Sequence, residues 1–346
     1  MGACRLRLAK PLRIPKRAVV FLLLAIAVSA AVLVYLRRGP DAQSAAIPDL
    51  ISRAPADAPF LFYADLAALR ASPFLAQLTA LAPSPSADRD YAEFVRATGF
   101  DYSRDLDRVV VAARPSTSTS STVAVAEGRF DREKIASYAL RTGKKERQNG
   151  VDVYVVPGGT PGKTVAFAFL DANHIALADS ANLAPVLVPT TTGGLGPAMR
   201  ERISRVSGAA ILAVGQVGTV PENVFPGGVR SDQFTNLARS LRWISLAARP
   251  ESDRMKVALE GECDTPENAT QIAGTLDGLR VFGQVALSNP GTRQRLPPET
   301  LKLLETLLRV VEVSHDNQRV RLTLELTAEM LRAATPKTPA TNAPRR

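Results

Sequence analysis

Histidine and cysteine are almost missing from this chain, with two of each in 346 residues. Neither His174 nor His315 has a second His, a Cys or a paired carboxylate at ligand spacing, so no metal site is expected. Two lone cysteines, Cys4 and Cys263, cannot staple a small scaffold. His174 does lie near Asp171 and Asp179, with Ser180 following, and triads are defined by geometry rather than chain order. No Gly-x-Ser-x-Gly elbow supports such a site, and no catalytic residue is assigned. Acidic residues are absent from both ends. Residues 1–38 carry Arg5, Arg7, Lys10, Arg13, Lys16, Arg17, Arg37 and Arg38, and the last ten add Lys337, Arg345 and Arg346. Those eleven exceed the net charge of +10 by one, which leaves residues 39–336 at −1. A nucleic-acid binder concentrates basic charge on its folded body, so DNA and RNA are excluded as expected partners.

Charge is also absent from Ala18 to Leu36, an apolar run of 19 residues. As a helix it spans about 28 Å, close to the hydrocarbon core of a bilayer. Six basic residues precede the run and two follow it, which places the N-terminus in the cytoplasm. The expected address is a bacterial cytoplasmic membrane, crossed once, with the C-terminal region periplasmic or otherwise extracytoplasmic. A cleaved leader, cut near Val28-Ser29-Ala30, is the rival reading. The apolar run continues past Ala30 and ends at Arg37-Arg38, which favours an uncleaved anchor. Ala25-xxx-Ser29 and Ala27-xxx-Ala31 match the small-xxx-small pattern of paired helices, a pattern that arises by chance in Ala-rich spans.

Beyond a linker at 37–48, helical and two-residue periodicities alternate. Pro59–Leu66 reads as a strand through Phe60, Leu61, Phe62 and Tyr63, and Ser72-Pro73 opens a helix with Phe74, Leu75, Leu78 and Leu81 on one face. Tyr91, Phe94 and Val95 mark a helix ended by Gly99, and Asp131 caps another. Asn149-Gly150 is the strongest hairpin signal in the chain. A helix is expected over 231–241, another from Thr265-Pro266, and a leucine-faced one over Pro298–Leu308. Val310–Ser314 and Arg319–Leu326 form a hairpin through His315–Gln318. Pro157–Thr164 ends in Gly-Lys-Thr, but Pro157 stands where a P-loop needs Gly, and strands flank it. It reads as a hairpin loop, and no cofactor is expected.

Two stretches resemble each other. Leu106 to Asp131 reads LDRVVVAARP…VAVAEGRFD, and Leu241 to Asp264 reads LRWISLAARP…VALEGECD. Allowing the second loop to be two residues shorter aligns Arg114 with Arg249 and Glu127 with Glu260. The even difference keeps the same faces inward. The expected fold is therefore α+β, an N-terminal transmembrane helix followed by a duplicated antiparallel sheet-and-helix module. Its expected parts are a cytoplasmic tail at 1–17, the span at 18–36, repeats at 49–190 and 205–334, a linker at 191–204, and a disordered tail at 335–346. Arg114, Glu127, Arg249 and Glu260 are the weak ligand candidates, and the plainer reading is an ion pair across each ladder. Trp243, the only tryptophan, reads as packing.

PADAPFLFYADLAALRASPF, at Pro55–Phe74, followed by ATGFDYSRDLDRVVVAARP, resembles membrane-anchored bacterial proteins of the DUF3352-like kind. That resemblance implies export and carries over no functional residue. The expected function is a membrane-tethered, non-enzymatic binding or scaffold module. It touches lipid through residues 18–36 and takes an envelope protein or small ligand outside. An envelope hydrolase with a cleft between the repeats is one alternative. A structural subunit of an envelope assembly is the other, and it predicts a large exposed apolar patch.

Overall fold

A computed structural model describes residues 49–75, 89–114, 121–158, 162–187, 195–217, 240–296 and 298–330. The expected basic tail, transmembrane run, linker to residue 48 and terminal tail lie outside the described residues. So does most of the helix expected over 231–241, whose last residue, Leu241, instead opens a strand. No helix among the described residues is long and apolar enough to cross a membrane.

The chain runs as α1 (Asp49–Ser52), β1 (Phe60–Asp65), α2 (Leu66–Ala71), α3 (Arg89–Thr98), α4 (Tyr102–Asp105), β2 (Leu106–Arg114) and β3 (Ser121–Gly128). It continues through α5 (Arg132–Ala139), β4 (Lys144–Gln148), β5 (Val151–Pro157), β6 (Thr164–Phe169), β7 (His174–Ala178) and α6 (Ala184–Leu187). The second run is α7 (Pro197–Val206), β8 (Ile211–Gln216), β9 (Leu241–Glu251), β10 (Arg254–Cys263), α8 (Pro266–Ser288), α9 (Pro290–Arg295), α10 (Pro298–Val310), β11 (Glu312–Asp316) and β12 (Arg319–Thr327). The α+β class and its antiparallel sheet are as expected from the sequence.

The twelve strands among the described residues join one sheet in the order β11-β12-β10-β9-β8-β1-β2-β3-β7-β6-β5-β4, every pairing antiparallel. The seam is β1 against β8, five residue pairs from Phe60↔Gly215 to Ala64↔Ile211. From that seam each half steps outward through a long hairpin, β2–β3 on one side and β9–β10 on the other. Five consecutive residues of β1, Phe60 to Ala64, are buried, so both faces of the centre are covered. Leu50, Ile51, Phe74, Met199 and Ile203 share that core with the central strands. Two smaller clusters lie outward, one with Ile135 and Ala139 of α5, the other with Ala269, Ile272 and Ala273 of α8. The edge strands β4 (KKERQ) and β11 (EVSHD) carry charge, which discourages further strand pairing.

Local signals account for most element ends. Asp131 accepts from the Lys134 amide and Thr265 from the Asn268 amide, each capping the helix that follows. Asn149 and Gly150 both adopt positive φ, as a two-residue hairpin between β4 and β5 requires. Pro157 pairs with Thr164, so the Gly-Lys-Thr segment joins two strands of one hairpin. One expectation needs correction: residues 197–206, assigned largely to a linker, form α7. Its Met199, Ile203 and Val206 recur at helical spacing and are buried, with Pro197 in the first turn. A second helix, α2, went unpredicted; Asp65 caps it by accepting from Ala68 at 2.8 Å.

Candidate functional site

The four candidate residues do not converge. Arg114 stands opposite Ser121 at the loop end of its hairpin, six residues along β2 from the residue opposite Glu127. Glu127 instead faces Arg108, whose guanidinium lies 3.3 Å from Glu127 and 3.4 Å from Asp65. One arginine thus ties β1, β2 and β3 in a row that ends at His174, the partner of Glu127 on β7. Tyr63, two residues from Asp65, has its phenol pushed up to about 12, by burial first and then by the Asp65 charge. Arg249 faces Lys256 and donates to the Ser207 carbonyl, while Glu260 faces Ser245 on β9. Register rules out an Arg249–Glu260 bridge, and it sets the backbones of Arg114 and Glu127 six ladder positions apart.

Register also revises the alignment of the two halves. Arg108 faces Glu127 in the first hairpin, and the residues 135 further on, Trp243 and Glu262, face each other in the second. No shortening of the loop is needed. Glu262, not Glu260, occupies the place of Glu127, and Glu260 occupies that of Val125. Alternation puts both glutamates on one sheet face, so the error preserved orientation and missed position.

Where the first half pairs Val110 with Val125, the second pairs buried Ser245 with buried Glu260. Helix α7 lies over that face and supplies the opposite charge. Glu260 Oε2 accepts from Arg321 at 2.8 Å, and its Oε1 lies 3.2 Å from Arg205 Nε. Glu262 accepts from both Arg202 and Arg205. The Arg202 side chain, 9 % exposed, also donates to the Ala198 carbonyl and stacks over Trp243, 4.3 Å from the ring centroid. Among the described residues, Arg202 Nε, Arg205 Nε and Glu260 Oε1 are buried without a hydrogen-bond partner, and Arg205 Nε approaches Glu260 off the hydrogen-bonding direction. Trp243 is packing, as its sequence context suggested, with a cation on its face.

A second ionic cluster sits at the start of β2. Asp105 accepts from the Arg104 side chain at 2.7 and 3.0 Å and from the Asp101 amide at 2.9 Å, and Arg129 lies 3.5 Å away. The Arg104 hydrogen bonds, outweighing burial, hold the Asp105 carboxyl at about 2. A folded value below the unfolded one contributes stability that is complete above pH 4 and lost as pH falls towards 2. The chain should therefore lose about 2 kcal/mol from this group over that interval. Asp105→Asn should flatten that part of a denaturant-midpoint-against-pH curve, and an unchanged slope would refute the assignment.

The other sequence candidates fall apart in space. His174 Nδ1 lies 2.7 Å from Asp171, which Arg53 also meets at 3.4 Å. Burial raises the Asp171 pKa, but hydrogen bonds from the Asn173 amide and His174 overcome it and the net shift is downward. Ser180 donates to the Asn182 carbonyl, and Asp179 accepts from the Thr122 amide. Since β7 is extended from His174, Ser180 lies about 20 Å along the strand direction, out of reach of the imidazole. Among the described residues no group of His, Cys, Asp and Glu is placed to hold a metal ion. The thiol of Cys263 is buried against α8 and pushed up by that burial and by Asp264 and Glu262.

What is accessible and out of the ordinary is apolar. Helix α8 buries Ala269, Ile272, Ala273 and Leu287 but exposes Leu279, Val281, Phe282 and Val285, with Phe282 at 70 % and Val285 at 64 %. Beside it an open groove of about 260 Å³ runs between α8 and α10, lined by Gln284, Leu287, Ser288, Glu305, Leu308 and Arg309. No sequence signal marked this face, because a helix with apolar residues all round shows no clear stripe.

No family model matches the chain, and no curated protein matches it. Among solved structures, crystal form III of TP0453 is similar to 84 % of this chain and 98 % of its own, at 9 % identity and a TM-score of 0.49. Crystal form IV of TP0453 covers 83 % and 95 %, at 11 % identity and a TM-score of 0.45.

Proposed function

We propose that the chain is a membrane-tethered extracytoplasmic scaffold or binding module that acts through surface contact rather than bond-making chemistry. The observation that carries this reading is the exposed apolar face of α8, formed by Val281, Phe282 and Val285. A contiguous apolar face rimmed by polar residues marks an interaction site. The basic tail and the uncharged run Ala18–Leu36 supply the tether. The two halves descend from a duplicated module, a reading supported by the constant offset of 135 residues between their long hairpins. An inter-repeat catalytic cleft has less support, since β1 and β8 join the halves as neighbouring strands of one sheet.

Deleting residues 18–36 should move the chain from the alkali-resistant membrane pellet to the soluble fraction. A periplasm-dependent reporter fused after Arg346 should be active in the full chain and silent in the deletion. Activity of a cytosol-only reporter at that position would overturn the topology.

A further inference from the structure

We infer that the exposed face of α8 is a self-association surface, on which a second copy of this chain packs its own α8 antiparallel to the first. Gly274, Gly278, Val281, Phe282 and Val285 fall within one stripe at 100° per residue, and all five are exposed. Among the described residues nothing packs against the two glycines. A Cβ at either would meet nothing within 4 Å, whereas a Cβ at Gly283 would strike Leu308 at 2.9 Å. Glycine disfavours a helix interior, so an open, exposed pair invites an external reason.

The stripe is complementary to itself. Its N-terminal half is recessed at Gly274 and Gly278, and its C-terminal half protrudes at Val281, Phe282 and Val285. A two-fold axis near residue 280 sets Phe282 of one copy against Gly278 of the other, and Val285 against Gly274. Such an interface is isologous and closes at two copies. Small residues at the crossing let the helix axes approach to about 8 Å.

Charge agrees with that direction. Exposed Glu267 lies in the first turn of α8, and exposed Arg293, which also holds Glu305, lies just beyond its end. Antiparallel pairing brings each Glu267 beside the other copy's Arg293 end and opposes the two helix dipoles. A lipid surface fits less well, because the described part of α8 holds Glu267, Asp277 and Arg280, not a basic rim. One helix pair buries less than the roughly 800 Å² per partner of a standard interface. Association therefore draws on the raised effective concentration of two copies in one membrane plane, and in that respect rests on the tether proposed above.

The test uses the full chain in native membranes, with Cys4→Ser as background and the buried Cys263 retained. Gln271 and Ser288, both exposed, are opposed in the antiparallel register. Co-expressed, differently tagged Gln271→Cys and Ser288→Cys chains should form a mixed disulfide on oxidation, at least about tenfold above either variant alone. Gly278→Leu should abolish that product while leaving the thermal midpoint unchanged or higher, since its side chain enters open space. A mixed disulfide no stronger than either self-disulfide, or one that survives Gly278→Leu, overturns the inference. If the chain fails to sediment with membranes, the tether reading fails instead. Repeating the cross-linking at high concentration of the chain lacking residues 18–36 then decides the pairing by itself: the mixed product supports it, and its absence overturns it.

Discussion

Replacing Glu262 by Ala should lower the unfolding free energy by about 3 kcal/mol, because it leaves a buried guanidinium without its counter-charge. Arg202 is held by Glu262, the Ala198 carbonyl and the face of Trp243, and only the first of these carries full negative charge. Arg205 keeps Glu201 at 2.8 Å in the variant, so most of the loss falls on Arg202. The ion pair is not thereby a large net source of stability. Desolvating both charges costs nearly as much as their attraction returns, so Arg202→Met with Glu262→Leu should recover most of the loss. The first half already shows an apolar solution on the same face: Val110 faces Val125 where Ser245 faces Glu260. Urea denaturation of the chain, of Glu262→Ala and of the Arg202→Met/Glu262→Leu double variant makes the comparison. A loss below 1 kcal/mol for Glu262→Ala would mean that water reaches Arg202.

Gly128→Ala should be comparably damaging, about 3 kcal/mol, for a steric reason. An ideal Cβ at residue 128 lies 2.3 Å from the backbone oxygen of Asp105, a contact that cannot persist. The approach is close because β3 ends beneath the junction of α4 and β2, where the register shifts between Leu106 and Arg108. There the Arg129 amide donates to that same Asp105 oxygen at 2.8 Å, and the Gly128 amide donates to Asn173 at 2.9 Å. Moving the backbone to admit a methyl group breaks both bonds and disturbs the Asp105 cluster. Gly261→Ala is the control. Its Cβ meets the ends of the Leu241 and Val320 side chains at 2.8 and 3.1 Å, and these can rotate, so the cost should be about 1 kcal/mol. Equal losses at the two sites would show that the Asp105 carbonyl is not the obstacle.

Those two glycines also measure how much the sequence revealed. The Glu-Gly dipeptide recurs in both halves, yet Gly128 and Gly261 are not equivalent by register. The strands themselves were legible, since β-branched and aromatic residues alternate between turn signals such as Asn149-Gly150. Ladder position was not. A two-residue slip keeps every side chain on its own face, so the alternation that betrays a strand is silent about a shift by two. Only the paired hydrogen bonds distinguish Glu262 from Glu260.

Helix α7 was missed for a different reason. Four of its ten residues are arginine or glutamate, and they masked the spacing of Met199, Ile203 and Val206. Those same charges, Arg202 and Arg205, are the counter-ions of the glutamates on β10, residues that the chain separates by more than fifty positions. Local patterning carries no information about a partner so remote. Arg114 and Arg249 recur at matching ladder positions, and that recurrence reflects a shared strand pattern rather than a shared pocket.

The seam between β1 and β8 decides what counts as a folding unit here. A cut anywhere between Leu187 and Leu195 would leave each fragment with its own set of ladders but strip the middle of the sheet bare. The freshly opened rims, FLFYAD and ILAVGQ, hold one carboxylate and no cation between them, against the heavily charged strands at the natural borders. Fragments of that kind are expected to find each other, or copies of themselves, before they find stability alone. If the proposed duplication gave the chain two modules, the continuous sheet has made them one folding unit.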